Sequence, residues 1–171
     1  TAVFAPDQAP KLLTTFARRI ELLGQNGANE VRALAFDREM AAWTPREFVQ
    51  RVLIGDLRAK AVVVGKNFRY GARASGDVDL LRTDLGEFDC LVTGVDLGEA
   101  GELSGEPYCS TLVRELVASG RVAEAAVVLG RSHEVTGVVR RGDGRGKDLG
   151  FPTANVPVDE RYAVPSDGVY A

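Results

Sequence analysis

The run Ala61-Val62-Val63-Val64 constrains the fold most strongly, because it is apolar and uninterrupted until Gly65. A strand with one face in water alternates apolar and polar residues, whereas a strand that is buried on both faces does not. The run therefore predicts a central parallel strand with other elements packed on both of its faces. Helical and strand patterns alternate through the first 130 residues, which favours an α/β layer fold.

Start signals, apolar stripes and terminating glycines predict four helices in this region. The helices are expected to begin at Thr14 and Thr15, at the capping box Thr44-Pro45-Arg46-Glu47, at Ser110 and Thr111, and at Ala123. The glycines expected to end the first, third and fourth helices are Gly24, Gly120 and Gly130. The residues expected to face the core are Phe16, Ile20, Leu23, Phe48, Val52, Leu53, Val113, Leu116 and Val117. Residues 31–36 and 91–95 are predicted as two further strands, the first of them buried.

The sequence pattern changes near residue 131. Residues 133–141 alternate, residues 164–170 are typical of a turn that enters another strand, and no helical period follows Gly130. These patterns predict an all-β module. Only its start is expected here, because about 40 residues cannot bury a self-sufficient barrel core.

The glycine segment, residues 142–155, reads Gly-Asp-Gly-Arg-Gly-Lys-Asp-Leu-Gly-Phe-Pro-Thr-Ala-Asn. Glycines let backbone N–H groups turn toward an anion at close range, and interleaved cations add charge to such a cradle. Thr153 and Asn155 are two apart, so both side chains leave the same face of an extended segment. A hydroxyl and an amide at this place suit the phosphate group of a Mg²⁺–nucleotide. The alternative is a mobile glycine-rich hairpin. The residues expected to form the cradle are Gly144, Arg145, Gly146 and Lys147.

A second candidate is the segment Gly65-Lys66-Asn67-Phe68-Arg69-Tyr70-Gly71, which follows the predicted central strand. Ligands bind beyond the carboxyl ends of strands in open α/β sheets. Asn67 offers both a donor and an acceptor, and Phe68 and Tyr70 can stack on a planar ring. The alternative is an ordinary strand exit whose aromatic side chains fill the core.

A third candidate lies at the predicted helix start in Cys109-Ser110-Thr111-Leu112-Val113-Arg114. Ser110 and Thr111 lie where a helix N-terminus leaves backbone N–H groups free, and Arg114 follows on the first turn. Amides, hydroxyls and a guanidinium converging in this way predict an anion site. The alternative is a plain helix cap with a surface arginine.

These motifs resemble one bacterial family, and they occur in its order. Residues 137–155 look like the opening of a riboflavin kinase domain, and the residues before them look like the later part of an adenylyltransferase domain. The chain is thus similar to the bifunctional riboflavin kinase/FMN adenylyltransferase (FAD synthetase) family. The segment Gly65–Gly71 resembles the family's G-x-[DN]-F-x-[FY]-G element. Residues 109–114 resemble its S-S-T-x-x-R element, with Cys109 in place of the first serine.

The resemblance implies both the architecture and the chemistry. Residues 1–130 are expected to form a Rossmann-like nucleotidyltransferase parallel sheet, and residues 131–171 the start of an all-β riboflavin kinase barrel. The implied reactions are ATP-dependent phosphorylation of riboflavin to FMN, and adenylylation of FMN to FAD with release of pyrophosphate. The residues that the resemblance implies for the adenylyltransferase are Asn67 and Phe68 for substrate binding and Ser110, Thr111 and Arg114 for catalysis. For the kinase they are Gly144, Arg145, Gly146, Lys147, Thr153 and Asn155 for nucleotide binding, with Thr153 and Asn155 also holding Mg²⁺.

Parts of the family pattern are not found in these 171 residues. The early H-x-G-H-type element is absent by count, because the single histidine is His133, which is expected to be a surface or interdomain residue. The first strand of the adenylyltransferase and the acidic base of the kinase are likewise missing. We therefore expect the 171 residues alone to catalyse neither reaction. Two alternatives stay open: a nucleotidyltransferase for another small phosphorylated substrate, and a non-catalytic nucleotide-binding module.

Composition limits the partners and the compartment. The net charge of −3 gives no basic field that would favour nucleic acid. Cys90 and Cys109 have no zinc-site spacing and are expected to be a reduced pair in the cytoplasm. No apolar run approaches the length of a membrane span. The expected partners are the small molecules ATP, riboflavin and FMN, and self-association of the chain is left open.

Overall fold

The computed structural model describes residues 3–96, 98, 107–142, 150–151 and 153–170. The chain divides into two compact units. The sheet unit comprises Ala33–Gly98 with Ala2–Pro6, and the helical unit comprises Asp7–Arg32 and Glu99–Ala171 with Thr1.

The two units contain six α-helices and two strands within the described residues. The helices are α1 (Phe16–Gln25), α2 (Arg38–Ala42), α3 (Pro45–Phe48), α4 (Val78–Gly86), α5 (Ser110–Ala118) and α6 (Val122–Leu129). The strands are β1 (Ala61–Gly65) and β2 (Leu91–Val95), and short 3₁₀ turns occur at Pro6–Gln8 and Ala72–Ala74. A π-helix, Val49–Asp56, continues α3. Among these helices none is both long and apolar enough to cross a membrane.

The sheet unit is built around a parallel pair of strands. Ala61 of β1 pairs with Leu91 of β2, and Gly65 pairs with Val95. The chain crosses between the two strands through α4, as parallel strands require a long connection. The predictions of a parallel strand at residues 61–64 and of a strand at Leu91–Val95 are confirmed.

The two faces of this sheet differ in burial. Val63 is 66% exposed and Leu91 is 74% exposed, because α4 and the π-helix pack on the opposite face. The prediction that β1 is buried on both faces is therefore wrong for the described residues. The strand residues that pack on the core are Val62, Val64 and Val92.

Residues 31–36 do not form the predicted strand. Leu34 and Phe36 are exposed, and the segment joins no backbone ladder among the described residues. An apolar run becomes a strand only when a neighbouring strand satisfies its N–H and C=O groups, and the sequence pattern does not report that neighbour.

The helix predicted from the capping box begins as expected. The Glu47 backbone N–H donates to Thr44 Oγ1 at 3.2 Å, and the Thr44 N–H donates to the Glu47 carboxylate at 2.8 Å. The expected core residues of this helix are confirmed, since Val52 is buried and Phe48 and Leu53 pack against the core. The change from α- to π-helical hydrogen bonding after Phe48 has no signal in the sequence.

The helical unit has its core between α5 and α6. Both helices match the predicted segments, and Gly130 closes α6 in the left-handed conformation with φ of 67°. Ala163, from a distant part of the chain, is buried in the same core. The other buried members are Leu112, Val113, Leu116, Val117 and Ala125.

Helix α1 departs from two predictions. It begins after the expected Thr15 cap, but it runs through Gly24 and ends at Gln25. Its apolar stripe does not face a core, because none of its residues is buried and Phe16, Ile20 and Leu23 are all exposed. The helix is instead attached to the unit by an ion pair between the Arg18 guanidinium and Glu134 at 2.7 Å.

Beyond Gly130 the described residues contain no helix, as predicted. They contain isolated backbone bridges rather than strands, between Arg140 and Asn155 and between Leu12 and Tyr162. The barrel and the Rossmann-like strand order both remain predictions.

Candidate functional sites

The segment Gly65–Gly71 leaves β1 at its carboxyl end and turns at once. The Phe68 N–H donates to the Gly65 carbonyl at 2.9 Å, and Asn67 between them is exposed. Gly71 has φ of 72°, and a Cβ atom there would lie 2.7 Å from the Pro45 nitrogen. Only glycine fits this position without strain. Asn67 is open to solvent at the carboxyl end of β1, the edge where open α/β sheets generally bind ligands.

The aromatic residues of this segment stack on each other. The rings of Phe68 and Tyr70 lie 5.5 Å apart and within 11° of parallel, and Phe48 lies 5.6 Å from Tyr70 on a tilt. Tyr70 is buried, whereas Phe68 is half-buried at the edge of the core. Core filling, the alternative considered above, therefore describes Tyr70, while Phe68 keeps a partly accessible surface beside Asn67.

Two buried polar atoms of this unit have no hydrogen-bond partner among the described residues. They are the Tyr70 hydroxyl and Asp84 Oδ2, in side chains that are 6% and 7% exposed as residues. Burial, followed by the nearby Asp84 and Asp77 carboxylates, raises the pKa of Tyr70 to about 12. Arg46 lies 3.7 Å from the other Asp84 oxygen, but it donates its short hydrogen bond, 2.6 Å, to Glu87. Tyr70 is thus neutral at physiological pH.

The first turn of α5 presents the third group of candidate residues. Cys109 caps the helix, with its Sγ atom accepting from the Leu112 N–H at 3.5 Å. Ser110 and Thr111 are exposed at the first helical positions, where backbone N–H groups have no intrahelical acceptor. Arg114 is half-buried, three residues after Thr111, and therefore on the same side of the helix.

Arg114 has a partner that the sequence does not reveal. Its Nε–H donates to the backbone carbonyl of Lys11 at 2.6 Å. This contact spans more than 100 residues of sequence, and no motif at Lys11 indicates it. It holds the guanidinium beside the start of α5.

The glycine segment is described only in part. Gly144, Arg145, Gly146 and Lys147, the predicted phosphate cradle, lie outside the described residues. Thr153 and Asn155 are both exposed. The Arg140 N–H donates to the Asn155 carbonyl at 2.8 Å, so the two ends of the segment lie next to each other.

Asn155 also lies directly against Gly142. A Cβ atom at position 142 would come within 2.1 Å of Asn155 Nδ2, so no other residue fits there unless the amide moves. The absence of a side chain at Gly142 therefore makes room for the Asn155 amide.

Thr153 and Asn155 suit Mg²⁺ only together with the phosphates of a nucleotide. No group of three or more His, Cys, Asp or Glu side chains able to hold a metal occurs among the residues described. Thr153 and Asn155 supply two accessible neutral oxygens. Mg²⁺ completes such a shell with phosphate oxygens and water.

His133 is a further residue whose role the sequence did not specify. It was expected at a surface or between domains, and it is half-buried, with Nε2 3.0 Å from the Ala163 carbonyl. Because a carbonyl only accepts, Nε2 carries the hydrogen in this contact. Both cysteines are free, Cys90 buried and Cys109 exposed.

Within the described residues the fold is mixed α/β with a small parallel sheet, and a loop with the exposed Asn67 follows the carboxyl end of β1. Comparison with known families is more specific. The sequence model of FAD synthetase matches residues 1–111, and that of riboflavin kinase matches residues 129–171. The chain belongs to the FAD synthetase family, and its last 43 residues match the riboflavin kinase family.

Individual relatives agree with this assignment. The bifunctional riboflavin kinase/FMN adenylyltransferase of Escherichia coli K12 is 37% identical over 99% of this chain and 53% of its own length. The protein of the same name from Bacillus subtilis is 32% identical over 99% of this chain and 52% of its own length. The chain therefore spans about half the length of the curated relatives it matches.

A solved structure shares the fold. It is described as a macrolide-efflux protein from Streptococcus pneumoniae, and it matches with a TM-score of 0.81 at 30% identity. The match covers 92% of this chain and 49% of the streptococcal chain.

Proposed function

We propose that the protein to which this chain belongs makes FAD from riboflavin in two transfers. In the first, the γ-phosphoryl group of ATP passes to the 5′-hydroxyl of riboflavin and gives FMN. In the second, the FMN phosphate attacks the α-phosphorus of another ATP, and pyrophosphate leaves. The observation that carries the proposal is the order of the two family matches on one chain, adenylyltransferase first and kinase second.

The adenylyltransferase step is assigned to two groups of residues. Asn67 and the accessible edge of Phe68 bind the substrate beyond β1, where open α/β sheets hold their ligands. The N–H groups at Ser110 and Thr111, with the Arg114 guanidinium, hold the triphosphate and favour the charge on departing pyrophosphate. The preorganised position of Arg114 on the Lys11 carbonyl supports this role, because a fixed donor does not have to reorganise during the reaction.

The kinase step is assigned to the glycine segment. Gly144, Arg145, Gly146 and Lys147 are proposed to surround the ATP phosphates, and Thr153 and Asn155 to hold Mg²⁺ beside them. When bound, Mg²⁺ neutralises the charge on the phosphoryl oxygens. The exposure of Thr153 and Asn155 supports the assignment, since both side chains are accessible to a bound nucleotide.

The boundaries and setting belong to the same proposal. We assign residues 1–130 to the adenylyltransferase domain and residues 131–171 to the riboflavin kinase domain, and place the protein in the cytoplasm. Small-molecule substrates with no nucleic acid or membrane partner fit a net charge of −3.

Separate assays of FMN and FAD test the two-site assignment in the full-length protein. Arg114→Ala is expected to lower FAD formation from FMN by about a hundredfold or more, the usual effect of removing one charge-stabilising donor. Thr153→Ala is expected to lower FMN formation and to leave the conversion of FMN to FAD unchanged.

Matched variants separate these effects from general damage. Arg121→Ala removes an exposed arginine just before α6 that pairs with Glu124, and Thr93→Ala removes an exposed threonine of β2. Both controls are expected to keep both activities. Equal loss of the two activities in Arg114→Ala or in Thr153→Ala would show that the assignment is wrong.

A further inference from the structure

Arg114 is connected through a short backbone segment to the part of the chain that matches riboflavin kinase. Its Nε–H holds the Lys11 carbonyl at 2.6 Å. The next residue, Leu12, donates its N–H to the Arg161 carbonyl at 2.7 Å and accepts from the Ala163 N–H at 2.8 Å. All of these residues lie in the helical unit.

The same residues share a hydrophobic core. Ala163 is 7% exposed and is buried against the inner side of α5, and Leu13 packs against this cluster. Ala163 therefore packs in the same cluster as the helix that carries Arg114 and is hydrogen-bonded to the backbone of Leu12. A change in the position of residues 11–13 cannot leave Ala163 unaffected.

The guanidinium can bind an anion without releasing Lys11. Among the described residues, its hydrogen-bond partner is the Lys11 carbonyl, bonded through Nε. The two terminal nitrogens of the planar fork are then available for phosphate oxygens, and an arginine fork binds such oxygens in pairs. Binding at those nitrogens fixes the plane of the guanidinium and hence the Nε–H contact.

We propose that an anion bound at the first turn of α5 stabilises residues 11–13 and residues 161–163 through Arg114. This rests on the proposed function, because it takes the anion to be the phosphate chain of ATP or pyrophosphate. Lys11 lies in the FAD synthetase match and Ala163 lies in the riboflavin kinase match. Occupancy of the adenylyltransferase site therefore changes the stability of the kinase-matching segment, and by linkage the effect is reciprocal.

Amide hydrogen exchange of the 171-residue chain tests the coupling, with inorganic pyrophosphate as the probe. The Leu12 and Ala163 amides report directly, because each donates one of the two connecting hydrogen bonds. Saturating pyrophosphate is expected to slow their exchange by at least about fivefold, the lower end of typical coupling between two sites. Calorimetry measures pyrophosphate binding independently in the same samples.

Two variants test the role of the planar Arg114 guanidinium. Arg114→Lys keeps the positive charge but loses the planar donors, so pyrophosphate is expected to bind without slowing exchange at Leu12 and Ala163. Arg121→Ala, at the residue before α6, is expected to behave like the unmodified chain. Equal slowing in Arg114→Lys would overturn the proposal, because the coupling would then need only charge.

Different results would refute the coupling and the assignment of α5 as the phosphate site. If pyrophosphate binds the unmodified chain but leaves exchange at Leu12 and Ala163 unchanged, the coupling is refuted and the adenylyltransferase assignment survives. If calorimetry detects no pyrophosphate binding to the unmodified chain, or binding of the same affinity in Arg114→Ala, the assignment of α5 as the phosphate site fails and the coupling fails with it.

Discussion

Replacement of Tyr70 by phenylalanine is expected to stabilise the protein. The Tyr70 hydroxyl is buried without a hydrogen-bond partner, and leaving such a group unpaired costs roughly 1–3 kcal/mol. The Tyr70→Phe change removes the hydroxyl and keeps the ring, which stacks on Phe68 and contacts Phe48. We therefore expect the free energy of unfolding to rise by about 1 kcal/mol at pH 7, measured by urea denaturation.

The same substitution should change the dependence of stability on pH. The pKa of Tyr70 is about 12 in the folded protein, above its ordinary value of 10.0, so the unfolded chain loses this proton first. Stability from this group is complete below pH 10 and declines as the pH rises toward 12. The decline is at most about 3 kcal/mol, and Tyr70→Phe should abolish it.

Tyr170 supplies a matched control, because its hydroxyl donates to the Ser166 carbonyl at 2.6 Å. Tyr170→Phe loses this bond and is expected to destabilise the protein by about 1 kcal/mol or less, since the ring is exposed. Destabilisation by Tyr70→Phe beyond that of Tyr170→Phe would refute the reasoning. It would mean that a partner such as an internal water satisfies the Tyr70 hydroxyl.

Three further substitutions test the packing and the local backbone by chemical denaturation. Gly71→Ala places a Cβ atom 2.7 Å from the Pro45 nitrogen at a positive φ, and a loss of at least about 2 kcal/mol is expected. Thr44→Ala removes both hydroxyl contacts of the capping box and should cost about 1 kcal/mol. Val117→Ala, at a fully buried position, should cost about 2 kcal/mol. The matched change Val127→Ala, at a side chain that is 64% exposed, should stay within about 0.5 kcal/mol, and equal losses at the two valines would contradict the assigned core.

Local signals in the sequence predict where elements begin and end. The capping box at Thr44 and the left-handed glycine at Gly130 act within a single turn of helix, so neighbouring residues suffice to predict them. The β-branched run of β1 also predicts a strand correctly. Each of these features depends on chemistry within about four residues.

Features that depend on distant residues were not predictable in this way. The apolar stripe of α1 and the run at residues 31–36 both have the composition of buried elements, yet both are exposed. Burial requires a partner surface, and a stripe on one element does not report whether that surface exists.

The same difference between local signals and distant contacts applies to the candidate sites. The motifs pointed to Asn67, Ser110 and Thr111, and the structure places all three at exposed positions on element ends. The contact of Arg114 with Lys11 had no local signal, because a backbone carbonyl is present at every residue.

The two cysteines differ in exposure, so one of them can be labelled selectively with a fluorescent dye. A maleimide dye should react with the exposed Cys109 and leave the buried Cys90 untouched in the native state. The dye would then sit at the very start of α5, beside Ser110 and Thr111, at the expense of one weak sulfur cap. Its emission would then report in real time whether a nucleotide binds at that helix, as the proposed function expects, with no mutation needed.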